Sequence, residues 1–228
     1  MSTIVIPTVH SDSESESDYP SDYSSDSDNE VPVVVEPVYE TTVAVSIGNA
    51  NSNVEPAHHI NKIILNLMIK NESKIIERCI GNSIDHVDAV NILDTGSTDE
   101  TVEVCKAYLT ASGKPFRITV HPFKNFGHNR SVSFDESQKL CKELGWDAEK
   151  TYVMAVDADM VLKPSPAFKD FQMTENGYRM IQQGQGGELK YYNVRFMKCS
   201  YPWKCIGSTH EYWSGEPSEN VASASYRF

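Results

Sequence analysis

Residues 60–109 read INKIILNLMIKNESKIIERCIGNSIDHVDAVNILDTGSTDETVEVCKAYL, and their pattern decides the fold. Ile60–Ile69 is a mostly apolar, β-branched run, the signature of a strand buried on both faces. Glu72–Ile84 then places Ile75, Ile76, Cys79, Ile80 and Ile84 at helical spacing. Ala89–Leu93 is a second apolar strand. Ser97-Thr98-Asp99-Glu100 fits a capping box, with Ser97 as N-cap, opening a helix through Val102, Cys105 and Leu109.

The alternation continues downstream. Phe116–Val120 reads as a third strand. Asn129–Leu144 is an amphipathic helix stopped by Gly145, and Thr151–Val156 (TYVMAV) is a fourth strand. Short connections between alternating strands and helices predict an α/β layer with a mainly parallel central sheet and right-handed crossovers. After Asp159 the pattern changes. Leu189–Met197 reads as a longer strand and Trp203–Trp213 as a loop with a short one, a smaller element beside the main sheet.

Working outward, the N-terminal segment has a different character. The 228 residues carry a formal net charge of −12. Residues 1–58 hold eleven of the 32 acidic residues and no Lys or Arg, leaving 21 acidic against 20 basic residues elsewhere. Residues 11–30, SDSESESDYPSDYSSDSDNE, have too little apolar surface to offset the entropy of ordering. Residues 1–58 are therefore expected to be a disordered acidic tail and linker, and residues 59–228 the folded domain. The nearly neutral domain argues against a nucleic-acid binder that works through bulk charge. No apolar run reaches the roughly 18–20 residues of a membrane helix. The start has no secretory-signal pattern, so a soluble, intracellular, cytoplasmic protein is expected. Five cysteines without a CxxC pair point to reduced thiols rather than a disulfide scaffold or zinc ribbon.

Three polar clusters follow the predicted strands, where open α/β sheets bind ligands. They are Lys70-Asn71-Glu72, Asp94-Thr95-Gly96-Ser97-Thr98-Asp99 and Asp157-Ala158-Asp159. At a turning strand end both aspartates of the Asp-x-Asp pair can reach one pocket, and two hard oxygen donors suit Mg²⁺ or Mn²⁺. Asp94, last on its strand, is placed to accept bonds from a base or ribose. Each feature also has a bland reading: a solvated acidic turn at 157–159, a capped loop at 94–99, a first-turn acid at Glu72.

Taken together, residues 67–105, Phe123-Lys-Asn-Phe-Gly-His-Asn-Arg130, VMAVDADMVL, and Tyr192-Asn-Val-Arg195-Phe with Trp203, Gly207 and His210-Glu211 resemble glycosyltransferase family 2, of the GT-A fold. The resemblance covers roughly residues 60–213, and many family members continue beyond it with acceptor-binding helices. It implies a metal-dependent, inverting transfer of a sugar from a UDP-sugar donor to a hydroxyl acceptor on a glycan, protein or lipid, a hexosyltransferase activity. It implies that Asn71, Glu72, Asp94, Arg130 and Asp157 line the nucleotide-sugar site. Asp157, Asp159 and His210 would hold Mn²⁺ or Mg²⁺, with Asp159 also counted as catalytic. Glu211 is the expected base, with Asp170 and Glu188 as weaker candidates. Arg130 has a bland alternative, pairing with Asp135 across a helix start, and His210 could be a loop histidine. Trp203, Trp213, Tyr191, Tyr192, Tyr201 and Tyr212 form an aromatic end that either stacks on sugar or packs the core, core packing being favoured for Trp203.

Other readings compete. A haloacid-dehalogenase-type phosphatase would need its Asp-x-Asp on the first strand and further acidic residues downstream. A sugar nucleotidyltransferase would open with a glycine-rich loop after strand one, where this chain has Lys-Asn-Glu. A degenerate transferase domain acting as a partner-binding module would be expected to lose Asp-x-Asp, which is intact.

Overall fold

The computed structural model describes residues 2–5, 61–165, 168, 170–184 and 189–215. Ten strands occur among them: β1 (Ser2–Val5), β2 (Lys62–Ile69), β3 (Ala89–Asp94), β4 (Phe116–Val120), β5 (Thr151–Val156), β6 (Val161–Lys163), β7 (Gly177–Gly184), β8 (Lys190–Lys198), β9 (Lys204–Ile206) and β10 (Tyr212–Ser214). The helices are α1 (Ile76–Ser83), α2 (Thr101–Ser112) and α3 (Phe126–Glu143), with two short 3₁₀ turns.

Eight strands form one sheet in the order β4-β3-β2-β5-β8-β7-β1-β6. The β4, β3, β2 and β5 strands run parallel to one another. The β8 strand joins antiparallel to β5, and β7 antiparallel to β8. A separate antiparallel pair, β9 and β10, makes the small element. The chain runs from β2 outward to β3 and β4, then returns to β5 on the other side of β2. The switch point of the sheet therefore lies between β2 and β5.

Both faces of β2 are buried, as its unbroken apolar run requires. One face gives Ile63, Leu65, Leu67 and Ile69 to a core with Ile76, Cys79 and Ile80 of α1 and Cys105 and Leu109 of α2. The other gives Ile64, with Val153 and Ala155 of β5, to Phe134, Leu140 and Cys141 of α3. Helices thus cover the sheet on both sides, the mixed α/β arrangement expected. All five cysteines are free and buried. Among the described residues, no helix is long and apolar enough to cross a membrane.

Three details differ from the sequence reading. The α2 helix starts at Thr101, not after Ser97, because Asp99 accepts the Thr101 amide at 3.1 Å while the Ser97 hydroxyl turns back to Asp94. The β7 strand is absent from the sequence reading. Its inward positions are Tyr178, Met180 and Gln182, and the buried glutamine breaks the apolar alternation. Lastly, Ser2–Val5, expected in the tail, pairs antiparallel with β7 and parallel with β6. The rest of the acidic tail and linker lies outside the described residues, as do Glu188 and the residues after Gly215.

Candidate active site

The loops after β2 and β3 are clasped together. Asn71 takes a left-handed backbone (φ 56°), a conformation asparagine tolerates better than most residues. Its amide donates to the Ser97 hydroxyl at 2.9 Å, and its side-chain oxygen accepts the Thr98 amide at 2.7 Å. The Glu72 amide donates to the Thr101 hydroxyl at 2.8 Å. Asp94 is buried and turned onto its own loop, accepting the Gly96 and Ser97 amides and the Ser97 hydroxyl. Gly96, at φ 104°, supplies the turn that closes this ring. Asn71 therefore ties the two loops together, and Asp94 braces the second from within. The Asp99 carboxyl is drawn down to about 2 by the Thr101 hydroxyl first, then by Ser73.

The α3 helix delivers Arg130. Asn125 caps the helix by accepting the His128 amide at 2.8 Å. Asn129 is fully buried, and its side chain accepts the Lys124 amide at 2.8 Å and donates to the Pro122 carbonyl at 3.0 Å. The Asn-Arg pair thus divides the work. Asn129 pins the loop before the helix, and Arg130 reaches the end of β5.

There Arg130 donates to the Asp157 carboxylate at 2.8 Å and to Glu211 at 2.9 Å. Arg195, on β8, donates to the other Asp157 oxygen at 3.3 Å, to Gln182 at 3.0 Å and to the Ala155 carbonyl at 3.3 Å. Burial alone would raise the Asp157 pKa, but Arg195 and Arg130 outweigh it and hold this carboxyl below its ordinary range. Asp135, the alternative partner of Arg130, pairs with Lys204 at 3.0 Å instead.

Asp159 behaves differently from Asp157. No described hydrogen bond or ion pair engages its carboxylate. The Glu72 pKa is raised by burial first, then by Asp159 and Asp99. The acidic side of the pocket therefore joins the β5 end to the loop after β2.

His210 is exposed on a left-handed turn (φ 58°). Among the described residues, no three His, Cys, Asp or Glu side chains gather to hold a metal ion. Asp157, Asp159 and His210 are thus not assembled as a ligand set, and both Asp157 oxygens are taken by guanidinium groups. Asp159 on its own suits a hard cation, since its carboxylate is open and Glu72 lies beside it.

Among the aromatic residues, Trp203 donates to the Asn176 carbonyl at 3.1 Å, and the Trp213 ring stands 5.9 Å from Phe134. Both tryptophans pack the α3 side of the sheet. Tyr191, Tyr192 and Tyr212 are exposed. Asp170 is exposed with no described partner. Sequence reasoning left Arg195 and Gln182 out of the site. An arginine inside the apolar stretch Val194–Met197 was the available signal, since a buried charge requires a partner.

Residues 67–172 match the model of glycosyl transferase family 2. No curated protein matches it. Among solved structures, Staphylococcus aureus TarS (residues 1–349, with UDP) is 20% identical over 43% of this chain and 27% of its own, with a TM-score of 0.34. Mycobacterium tuberculosis glucosyl-3-phosphoglycerate synthase, with Mn²⁺, UDP and glucosyl-3-phosphoglycerate, is 24% identical over 45% of this chain and 35% of its own, with a TM-score of 0.30. The chain thus spans 27–35% of the length of these structures.

Proposed function

We propose that this chain binds a UDP-sugar at the switch point between β2 and β5 and transfers the sugar, with inversion, to a hydroxyl acceptor. The observation that carries this reading is Arg130. Within the family segment, α3 holds its guanidinium at the carboxyl end of β5, on Asp157 and beside Glu211. A guanidinium there matches the two oxygens of a phosphate.

In the reaction, the bond from the anomeric carbon to the diphosphate oxygen breaks as the acceptor oxygen bonds to that carbon. Arg130 stabilises the charge that builds on the departing diphosphate. Glu211, half-buried and bonded to Arg130 at 2.9 Å, takes the acceptor's proton onto its carboxylate. The Asn71–Ser97–Thr98 clasp and the Asp94 ring hold the nucleotide-side walls. A divalent cation fits at Asp159, where it would supply positive charge between this carboxylate and the diphosphate. The exposed Tyr191, Tyr192 and Tyr212 are the residues proposed to meet sugar.

Calorimetry with UDP, the nucleotide in both bacterial structures, tests the reading alongside hydrolysis of UDP-sugars in Mn²⁺ and in EDTA. UDP binding that needs Mn²⁺ and is lost in Asp159→Ala, together with turnover lost in that variant, is the expected result. Binding without turnover of any UDP-sugar would favour a partner-binding module. Turnover in Asp159→Ala equal to wild type would reduce the Asp-x-Asp pair to a solvated turn.

A further inference from the structure

Arg195 is buried to 6% exposure on β8, deeper than a charged residue sits without cause. Its three hydrogen bonds go to Asp157, Gln182 and the Ala155 carbonyl, and its Nε is buried with no partner. The guanidinium is fixed by the sheet and cannot swing out to a ligand. Arg130 is the more accessible of the pair, with its side chain 14% exposed against 7% for Arg195. Its two carboxylate partners, Asp157 and Glu211, approach from opposite ends of the chain's site: one from β5, the other from the loop before β10.

A diphosphate can recruit Arg130 only if Arg130 loosens its hold on these carboxylates. Glu211 is on a loop and can turn to solvent. Asp157 is anchored on the strand end with its side chain 30% exposed, and a half-buried carboxylate that loses its cation is destabilised. Resting on the donor reading above, we propose that Arg195 is the standing counterion of Asp157, a positioning residue that lets Arg130 exchange its carboxylates for the donor's diphosphate. Each guanidinium holds a different Asp157 oxygen, so one can leave while the other stays. Gln182 locks Arg195 in that post by taking the same terminal nitrogen that reaches Asp157.

A double-mutant cycle on the full chain, read by calorimetric titration of UDP in Mn²⁺, tests this. Arg195→Gln makes Arg130 the sole cation of Asp157 and should weaken UDP binding by roughly 10- to 100-fold. In the Asp157→Asn background residue 157 no longer needs a cation, so adding Arg195→Gln should change UDP affinity by less than about threefold. Equal losses in the two backgrounds would mean that Arg195 merely supports the fold, and no loss in the first background would also overturn the inference. Absence of UDP binding by the wild-type chain would sink the donor reading itself, and this inference with it. Thermal melting confirms that each variant is folded. If Arg195→Gln does not fold, Arg195→Met, which removes the charge but keeps a long unbranched stem, carries the same cycle with the same two outcomes.

Discussion

Gly127, the second residue of α3, offers a test in which helix propensity and packing predict opposite signs. Replacing a helical glycine with alanine ordinarily gains up to about 1 kcal/mol. Here a Cβ would lie 2.2 Å from the Gly207 carbonyl oxygen and 2.9 Å from that of Cys205. Both obstacles are backbone, and the Gly127 amide donates to that same Gly207 carbonyl at 3.0 Å. Relief therefore requires the start of α3 to back away from the β9–β10 segment. Overpacking against a rigid neighbour costs about 1–3 kcal/mol, and losing the hydrogen bond adds about 1 kcal/mol. Set against the propensity gain, Gly127→Ala should destabilise by about 2 kcal/mol, lowering the melting temperature by about 4–8 °C. Gly81→Ala is the control. Its Cβ meets only the Tyr108 hydroxyl, at 2.9 Å, the far end of a side chain that can turn aside. That variant should melt at or above wild type. The displacement in Gly127→Ala should also shift Arg130, carried by α3, away from Asp157 at the end of β5, and so weaken UDP binding. A Gly127→Ala protein that melts at or above wild type would refute the close approach of α3 to Gly207, and with it the geometry given for Arg130.

Two further outcomes are expected. Glu211→Gln should leave UDP affinity undiminished, since it removes a competitor for Arg130, while transfer falls by about 10²–10⁴-fold, the usual worth of a general base; transfer at the wild-type rate would move the base to Asp170 or Glu188. The second concerns Glu136, buried on α3 and bonded to Arg117 at 2.6 Å and Lys139 at 2.6 Å. Burial raises its pKa, but Lys139 and Arg117 outweigh burial and hold it below the ordinary carboxylate value. A depressed folded-state pKa gives stability that is full above the unfolded value, about 4.3, and is lost as pH falls through the lower folded value. Urea melts between pH 6 and pH 3 should therefore show wild type losing more stability on acidification than Glu136→Gln, and parallel losses would remove this linkage.

The parts of the molecule legible in the sequence are those in which burial writes itself as an unbroken pattern. The β2, β3 and β5 strands are covered on both faces and so read as apolar runs. Helix α1 is marked by its isoleucines, although the Ile75 and Ile76 amides donate to the Glu72 carbonyl in the loop before it. Elements stabilised by partners remote in sequence left no such trace. The β7 strand interleaves Arg179 and a buried Gln182 with its apolar residues, and the Gln182 side-chain oxygen accepts from Arg195, thirteen positions away. The β1 strand is four residues long and depends on pairing with β6 and β7, more than 150 residues distant. Its β-branched residues set it apart from the acidic segment that follows, but four residues with no local partner do not identify a strand.

The Asp-x-Asp pair shows the same division at the level of chemistry. Composition identifies two hard oxygen donors at a strand end, and spacing permits them to share one cation. Which cation each carboxylate meets is decided by elements that pack beside β5. Arg130 comes from α3 and Arg195 from the antiparallel neighbour β8, and together they claim Asp157. Asp159, two residues on, is left facing the acidic loop after β2, where Glu72 feels its charge. The two aspartates therefore have opposite electrostatic surroundings, one neutralised by two guanidinium groups and one open to a cation from solution. A divalent ion at Asp159 and a diphosphate recruited by Arg130 would complete each other's charge. On this arrangement metal and nucleotide should bind with positive coupling, each raising the other's affinity by the same factor.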